Sequence, residues 1–171
     1  MKKLALIVCV AISSYLISCT GETASTSANS SMEQKNLAAD SMVGVAFRTG
    51  DPSKIDSVVA ADFVDHTDRG DKNRDSLKAF IKMVHDSFPD MKMDMVRQVA
   101  KDDYVYSWMH FTGNSNGAMG MPKGPFDWVA MQVTKFNGDN KAVEHWEFME
   151  AQSNARMMQD MMKMMGNPGN K

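Results

Sequence analysis

The stretch FDWVAMQVTKFNGDNKAVEHWEFME, residues 126–150, decides the fold. It contains two runs of alternating side chains around NGDN, a turn sequence, and therefore predicts an antiparallel hairpin. Upstream, MKMDMVRQVA (91–100) and YVYSWMHFTG (104–113) alternate in the same way. A side-chain period of two is typical of half-buried strands. The sequence thus predicts at least four antiparallel strands in succession.

Three helices are predicted ahead of these strands, at 32–48, 51–66 and 75–88. The first and third carry apolar residues along one stripe, and the second begins with Asp51 as cap and Pro52 at its first position. Helices that precede a run of strands indicate an α+β fold. We expect them to pack on the concave face of one curved antiparallel sheet.

The first residues, MKKLALIVCVAISSYLISC, combine two lysines, a short apolar run and a final cysteine. This is the pattern of a secretory signal, and LISC resembles the lipobox of bacterial lipoproteins. The resemblance implies cleavage before Cys19 and lipidation of that cysteine. The protein would then be a membrane-anchored lipoprotein of the cell envelope, on the periplasmic side or the cell surface. An uncleaved signal anchor, or an ordinary signal followed by a buried cysteine, is the alternative.

Composition divides the rest of the chain. Residues 1–18 are the predicted signal peptide, and the Ser/Thr/Ala-rich residues 19–31 are predicted to be a flexible tether because they lack apolar bulk. Residues 32–151 form the predicted domain, and residues 152–171 form a Met-rich helix and tail. Loss of the two signal lysines would leave 17 of the 19 basic residues against 21 acidic ones, a net charge of −4. This balance predicts no nucleic-acid partner.

Four segments follow the order and spacing of a known family: DFVDH, HDSFPDM, DDYVYSWMHFTGNSNGAMGMP and VTKFNGDNKAVEHWEF. Together they resemble the SnoaL-like polyketide cyclases, within the nuclear-transport-factor-2-like superfamily. The resemblance implies a cone-shaped α+β barrel with an apolar cavity, a small apolar ligand, and acid/base chemistry by a carboxylate without metal or cofactor. The chain departs from the family at GNSNG, where cyclases carry GTHTG-like residues and Ser115 replaces the cavity histidine.

Alternation within the strands predicts which side chains face the cavity. The odd-numbered faces of the second and third strands are the more aliphatic, as a core wall should be, and the aromatic even faces indicate a homodimer contact. Pairing of Phe136 with Lys141 then turns His145 and Glu147 outward. The predicted cavity lining consists of Met109, Phe111, Met131, Glu144, Trp146 and Phe148.

Two carboxylates carry the predicted catalysis. Glu144 would be desolvated, which raises the pKa of a carboxyl group and lets it hold a proton, whereas Asp127 at the cavity mouth would act as the base. The resemblance places His66 at the rim, where it orients a ligand or pairs with Asp127. The alternatives are structural: Glu144 is tied to an amide or a basic residue, and His66 caps a helix.

Methionines crowd the C-terminal segment MMQDMMKMM, residues 157–165. Soft thioethers favour Cu(I) or Ag(I), but no His or Cys accompanies the run. An adaptable apolar face that packs on the domain or on a partner is therefore the favoured interpretation. The four histidines are scattered and the mature chain would have no free cysteine, so no metal and no cofactor is predicted.

Two functions are consistent with such a domain. The first is an enzyme that binds a small apolar molecule and isomerises or cyclises it through Asp127 and Glu144. The second is a non-catalytic relative that uses the same pocket for ligand binding or protein contact, which the missing GTHTG histidine favours. A raised pKa of Glu144 would indicate the enzyme, and a bridge from Glu144 to Arg97 or a lysine would indicate the binder.

Overall fold

The computed structural model describes the backbone of residues 22–166 and the side chains of residues 30–166 except Met164. Cys19 and the predicted signal peptide lie outside the described residues, as do residues 167–171. The elements in chain order are α1 (Glu22–Thr49), a 3-10 helix (Pro52–Ile55), β1 (Val59–His66), β2 (Lys72–Asn73), α2 (Arg74–Ser87), β3 (Lys92–Lys101), β4 (Tyr104–Ser115), a 3-10 turn (Ala118–Gly120), β5 (Gly124–Phe136), β6 (Ala142–Met149) and α3 (Ala151–Gly166).

Six strands form one sheet in the order β2-β1-β6-β5-β4-β3. The last four are the antiparallel meander that the alternating sequence predicts. Strand β1 pairs with β6 in parallel, so the sheet is mixed rather than purely antiparallel. Helices α1 and α2 pack together over the sheet, and the predicted α+β class with helices on a curved sheet is confirmed.

The predicted second helix is wrong. Only Pro52–Ile55 is helical, and the apolar segment after it is strand β1. Val59 and Phe63 are buried at a spacing of four, which also fits a helical stripe, so a short apolar run is ambiguous by pattern alone. The pairing of this run with β6, about 80 residues away in sequence, decides in favour of the strand.

Helix α1 begins at Glu22, ten residues before the start expected from sequence, so it takes in most of the predicted tether. Its central part packs against the domain through buried Asn36, Ala39 and Ala46. A helix that is nucleated by packing extends at little cost into Ala- and Ser-containing sequence, because only the first turn is expensive to form. None of the helices within residues 22–166 is long and apolar enough to cross a membrane.

The hydrophobic core lies between the two helices and the sheet. Ile55, Val59, Ile81 and Val105 have no solvent exposure, and burial of each such side chain stabilises the fold by about 1.5–3 kcal/mol. Phe136 on β5 is part of the same cluster. Several members of this cluster also line an open cavity farther along the concave face, namely Val59, Phe63, Leu77 and Ala142.

Helix α3 continues from β6 and is fastened to β5. The backbone N–H of Val129 donates to Ser153 Oγ at 3.0 Å, and the N–H of Glu150 donates to the carbonyl of Val129 at 2.8 Å. Met157 lines a second cavity, of about 180 Å³, against β5. The opposite side of the helix remains open to solvent, since Met162 is 57% exposed. The methionine face is therefore only partly covered by the domain.

Candidate functional site

A cavity of about 270 Å³ lies between α1, α2 and the concave face of the sheet. Its helix side is largely apolar, with Val43, Phe47, Leu77 and Phe80 in the wall. The rings of Phe47 and Phe80 meet edge to face with centroids 5.9 Å apart. Six of the nine polar or charged lining residues are on the sheet, and α1 supplies the other three, Asp40, Ser41 and Arg48. The cavity therefore combines a mainly apolar surface on the helices with a mainly hydrogen-bonding surface on the sheet. This arrangement is common in small-molecule sites.

Strand register organises the sheet side into transverse rows. The methionine row is Met95, Met109, Ala130 and Met149. The amide row is Gln98, Ser107, Gln132 and Glu147. The imidazole row is Val105, Thr134, His145 and Asp65. Each row crosses adjacent strands, so its members are direct neighbours although they are far apart in sequence. Polarity thus changes in steps along the cavity.

A His–Asp pair stands in the imidazole row. His145 on β6 and Asp65 on β1 are partners in the parallel register, and Nδ1 of the histidine lies 2.8 Å from Oδ1 of the aspartate. The two side chains are about four-fifths buried. Because an ionised carboxylate only accepts hydrogen bonds, the neutral ring carries its proton on Nδ1. Nε2 is then a free acceptor on a residue that lines the cavity.

Asp40 joins helix α1 to three strands of the sheet. Its Oδ2 accepts hydrogen bonds from Gln98 Nε2 at 2.8 Å and Ser107 Oγ at 2.9 Å. Its Oδ1 accepts from Thr134 Oγ1 at 2.9 Å. Within the described side chains no buried polar atom lacks a partner. The helix is therefore held over the sheet by a carboxylate that receives three neutral donors.

Asp127 lies on the other side of the sheet from the cavity, so its predicted position is wrong. It pairs with Thr112, and its side chain is 65% exposed, with Oδ1 3.1 Å from Nε2 of His110. His66, which was predicted to pair with Asp127, instead contacts Asp71 and Glu144. The reason is the register of β4 with β5, which pairs Met109 with Ala130 and so places even residues of β5 on the concave face.

Glu144 is also on the outer face, and its predicted raised pKa is wrong. Its carboxylate accepts from Lys135 Nζ at 2.9 Å and lies 3.1 Å from His66 Nε2. Hydrogen bonds from Lys135 first and from His66 second lower the pKa of Glu144 below its ordinary value. By the criterion set from sequence, the bridge to a lysine indicates a structural carboxylate.

The other predicted ligand contacts divide between the two faces. Met109 lines the cavity, and Phe111 lies on the same face but is buried in an aromatic cluster beside Trp128. The outer face holds Met131, Trp146 and Phe148, so the prediction that these three line the cavity is wrong. His66, predicted at the cavity rim, lies on the same outer face, beside Trp146. On β6 the inward residues after Ala142 are His145 and Glu147, both of which were expected to face outward.

The parity of the β5–β6 pairing was predicted correctly, since odd residues of one strand face even residues of the other. The prediction fails one strand earlier, because the more aliphatic side of β5 faces outward and not toward the core. Phe136 pairs with Ala142 rather than with Lys141, and a register shift beside Phe136 adds one more residue, so the partner of Met131 is Phe148 and not Trp146. Gln98, Ser107 and Gln132 are direct neighbours on adjacent strands, and three polar residues in one row would have indicated the polar part of the cavity. The row can be recognised only when the register of the strands is known.

A charged cluster on the outer face surrounds His66. Its Nδ1 lies 3.0 Å from Asp71, its Nε2 lies 3.1 Å from Glu144, and its ring stacks on Trp146 with centroids 4.7 Å apart. Hydrogen bonding to Glu144 first, and then to Asp71, raises the pKa of His66 above its ordinary value. The same contacts favour ionised Glu144.

We expect this cluster to make stability depend on pH. The contribution of His66 is complete below its unfolded-state pKa of about 6.5 and is lost as pH rises through its higher folded-state pKa. The contribution of Glu144 is present above about pH 4.3 and is lost on acidification. The Tm difference between wild type and His66→Gln, a few degrees at most, should therefore be largest near pH 5.5 and shrink by pH 8.5.

The matched control for this measurement is His110→Gln, which removes an imidazole beside one carboxylate, Asp127, from the same face. Thermal melts at both pH values supply the readout for each variant. A Tm difference for His66→Gln that stays constant or grows between pH 5.5 and pH 8.5 would contradict the role given to the two carboxylates.

Solved structures with the same fold come from several sources. A candidate SnoaL-like polyketide cyclase from Jannaschia sp. CCS1 has a TM-score of 0.63 at 15% identity, over 74% of this chain and 92% of that one. TsrD from Streptomyces laurentii has a TM-score of 0.61 at 18% identity, over 75% and 95%. An LEH-like epoxide hydrolase from M. tuberculosis has a TM-score of 0.59 at 7% identity, over 78% and 97%. At these identities the likeness extends to the fold alone.

No curated protein matches the chain. A family model described as SnoaL-like polyketide cyclase matches residues 38–158, which is most of the sequence and includes both the cavity wall and the outer face. The helix-covered curved sheet and its concave cavity agree with that match. The chain belongs to the SnoaL-like polyketide cyclase family.

Proposed function

We propose that this domain binds a small molecule in the concave cavity and exchanges protons with it through His145, without a cofactor. The observation that carries the proposal is the 2.8 Å contact between His145 Nδ1 and Asp65 in the cavity wall. Asp65 accepts a hydrogen bond from Nδ1–H of His145, which keeps the proton on Nδ1 and leaves the basic Nε2 facing a ligand. It also stabilises the imidazolium that forms when Nε2 accepts a proton.

This arrangement suits isomerisation. Nε2 removes a proton from a carbon beside a carbonyl group, and the same imidazolium returns it to another carbon of the ligand. General acid/base catalysis by one positioned group contributes about 10²- to 10⁴-fold in rate. Glu147 lies two residues along β6 on the same face, where Gln132 Nε2 donates to it at 2.7 Å. It provides a second carboxylate within reach of a bound molecule.

A non-catalytic binding role is the second candidate, and two observations favour it. Glu144 is bridged to Lys135 on the outer face and takes no part in the cavity. Ser115, at the position where cyclases of the family carry the cavity histidine, is buried and accepts a hydrogen bond from the N–H of Gly117 at 3.1 Å. Neither residue supplies the chemistry expected from the family, so any catalysis rests on His145 and Asp65.

Proton transfer can be tested with the full chain and cyclohex-3-enone, whose conversion to the conjugated enone moves one proton and changes the ultraviolet absorbance. We expect isomerisation, and in D₂O deuterium should enter C4, the carbon that receives the proton, to the extent that the proton on the imidazolium exchanges with solvent. His145→Gln should lower the rate by about 10²-fold, because the base is lost. Asp65→Asn should lower the rate less and change its pH profile, because the ring remains but loses its orienting carboxylate.

The chain contains a matched control in His110→Gln, since His110 and Asp127 form a second His–Asp pair on the outer face. This variant should leave the rate unchanged. Equal rates for wild type and His145→Gln would exclude His145 as the base. Native mass spectrometry that detects a co-purified small molecule in both proteins would then favour the non-catalytic role.

We infer further that the domain is held at a membrane of the cell envelope by lipid on Cys19, on the strength of the sequence LISC after a short apolar run. In a bacterial host, Cys19→Ser should move the protein out of the lipidated membrane fraction, as measured by fractionation and intact mass. Cys9→Ser is the control, because it removes a thiol from the same run without changing the lipobox. Membrane association that is unchanged in Cys19→Ser would instead indicate an uncleaved anchor.

We also propose that two copies associate through the outer face. Trp108, Met131 and Phe148 are direct neighbours in one row across β4, β5 and β6, and their exposed fractions are 43%, 39% and 59%. Contiguous exposed apolar side chains of this size commonly mark a protein contact. In a two-fold contact the same row of each copy would face its counterpart, as in most homodimers.

Light scattering after size-exclusion chromatography tests this contact. Wild type should have the mass of a dimer, and Trp108→Asp should shift it to a monomer because a charge would be buried at the centre of the contact. Met162→Asp, on an exposed position of α3, is the control and should remain dimeric. A monomeric wild type, or a dimer lost only in the α3 variant, would contradict the proposed interface.

A further inference from the structure

The charges that line the cavity are unbalanced. Three carboxylates, Asp40, Asp65 and Glu147, share it with one guanidinium, Arg48. Arg48 stands in the last turn of α1, and its Nη1 extends back to within 3.4 Å of where a Cβ on Gly44 would lie. In the described part of the chain no lysine or arginine lies within 4.0 Å of any of these three carboxylates. The carboxylates of the cavity therefore have no direct ion pair with a lysine or arginine.

Three donor side chains of the sheet, Gln98, Ser107 and Thr134, are already engaged. Both N–H groups of Gln98 are used, one by Asp40 and one by Ser107, and the hydroxyl of Ser107 donates to Asp40 in turn. Thr134 also donates its hydroxyl proton to Asp40. Because each hydroxyl has one proton to donate, these groups have none left for a ligand.

On the sheet side, most of the groups that remain available are acceptors, alongside the second N–H of Gln132. Glu147 uses one carboxylate oxygen for Gln132, and Asp65 uses one for His145, so each retains a second oxygen. The Nε2 of His145 adds a neutral acceptor in the same wall. These residues stand on adjacent strands or two positions apart on β6, within the reach of one small polar group.

We propose that the ligand of this cavity is a compact amine, with an apolar body and a protonated amino group that binds against Glu147 and the His145–Asp65 pair. This inference rests on the proposed ligand-binding function and specifies its substrate class. An ammonium group has three donors and no acceptor, which matches a wall of free acceptors. Its charge also offsets the uncompensated carboxylates, and bonds to ionised acceptors are the stronger ones.

The rest of the cavity suits the apolar body of such a molecule. Phe47 and Phe80 on the helix side face the polar rows of the sheet, and Met95 and Met109 supply adaptable surface at one end. A volume of about 270 Å³ is at the small end of the range for ligand pockets. The site therefore fits a single-ring amine better than a fused polycyclic compound.

Three probes of matched shape test the proposal with the full chain at pH 7: 2-phenylethylamine, 2-phenylethanol and 3-phenylpropionate. Isothermal titration should give the amine at least about tenfold higher affinity than the alcohol, because hydrogen bonds to charged groups are stronger than neutral ones. The carboxylate should bind most weakly, because it meets like charge. The ketone isomerisation above serves as a separate readout of the proposed function.

Glu147→Gln should remove most of the amine preference and leave the affinity for the alcohol within about twofold, since the amide keeps the shape of the side chain but not its charge. Glu144→Gln is the matched control, because it removes a carboxylate from the same strand on the outer face and should leave the preference intact. Circular dichroism verifies that both variants are folded.

The possible outcomes separate the two levels of the proposal. Equal affinity for amine and alcohol would overturn the amine inference while the proposed binding function stands. An amine preference that survives Glu147→Gln but disappears in Glu144→Gln would place the amine on the wrong face and also overturn it. Failure of all three probes to bind, together with no isomerisation, would overturn both.

Discussion

The hydrogen bonds of Asp40 are the constraint on which the rest of the structure depends. One carboxylate on α1 receives donors from β3, β4 and β5, and so sets the height and rotation of the helix over the sheet. A helix that approached more closely would fill the concave face, and one farther away would leave Gln98, Ser107 and Thr134 without partners. Unpaired buried polar groups cost about 1–3 kcal/mol each. The cavity therefore persists because closing or widening it would break a polar network.

The two faces of the sheet use the same residue types for different purposes. Each has a histidine 2.8–3.1 Å from an aspartate, and each has a glutamate on β6. On the outer face the acidic groups meet Lys135 and His66, and charge is balanced within the cluster. On the concave face Asp65 and Glu147 meet only a histidine and an amide. The difference in function follows from which side of one strand a residue occupies, not from its chemical type.

The fold class and the four-stranded meander could be predicted because both depend on local patterns. Alternation from 91 to 150 identifies strands, and NGDN identifies the turn between the last two. The site could not be predicted with the same success because it depends on register between strands. The pairing of Met109 with Ala130, set across the eight residues 116–123 and their 3-10 turn, decides which side of β5 is concave. The parallel contact of Asp65 with His145 has no local signature, and a helical interpretation of 51–66 hid it.

Strand β1 lies near the edge of the sheet, beside the two-residue edge strand β2. Its pairing with β6 has a register shift between Val59 and Val64. Its parallel partner β6 brings Asp65 beside His145, 80 positions away in sequence, so the imidazole is oriented only once this long-range pairing has formed. Peripheral strands fray at lower free energy than central ones. Partial detachment of β1 would separate His145 from Asp65 and His66 from Glu144, while the four-stranded meander remained assembled. The proposed proton transfer would therefore depend on a contact near the edge of the sheet.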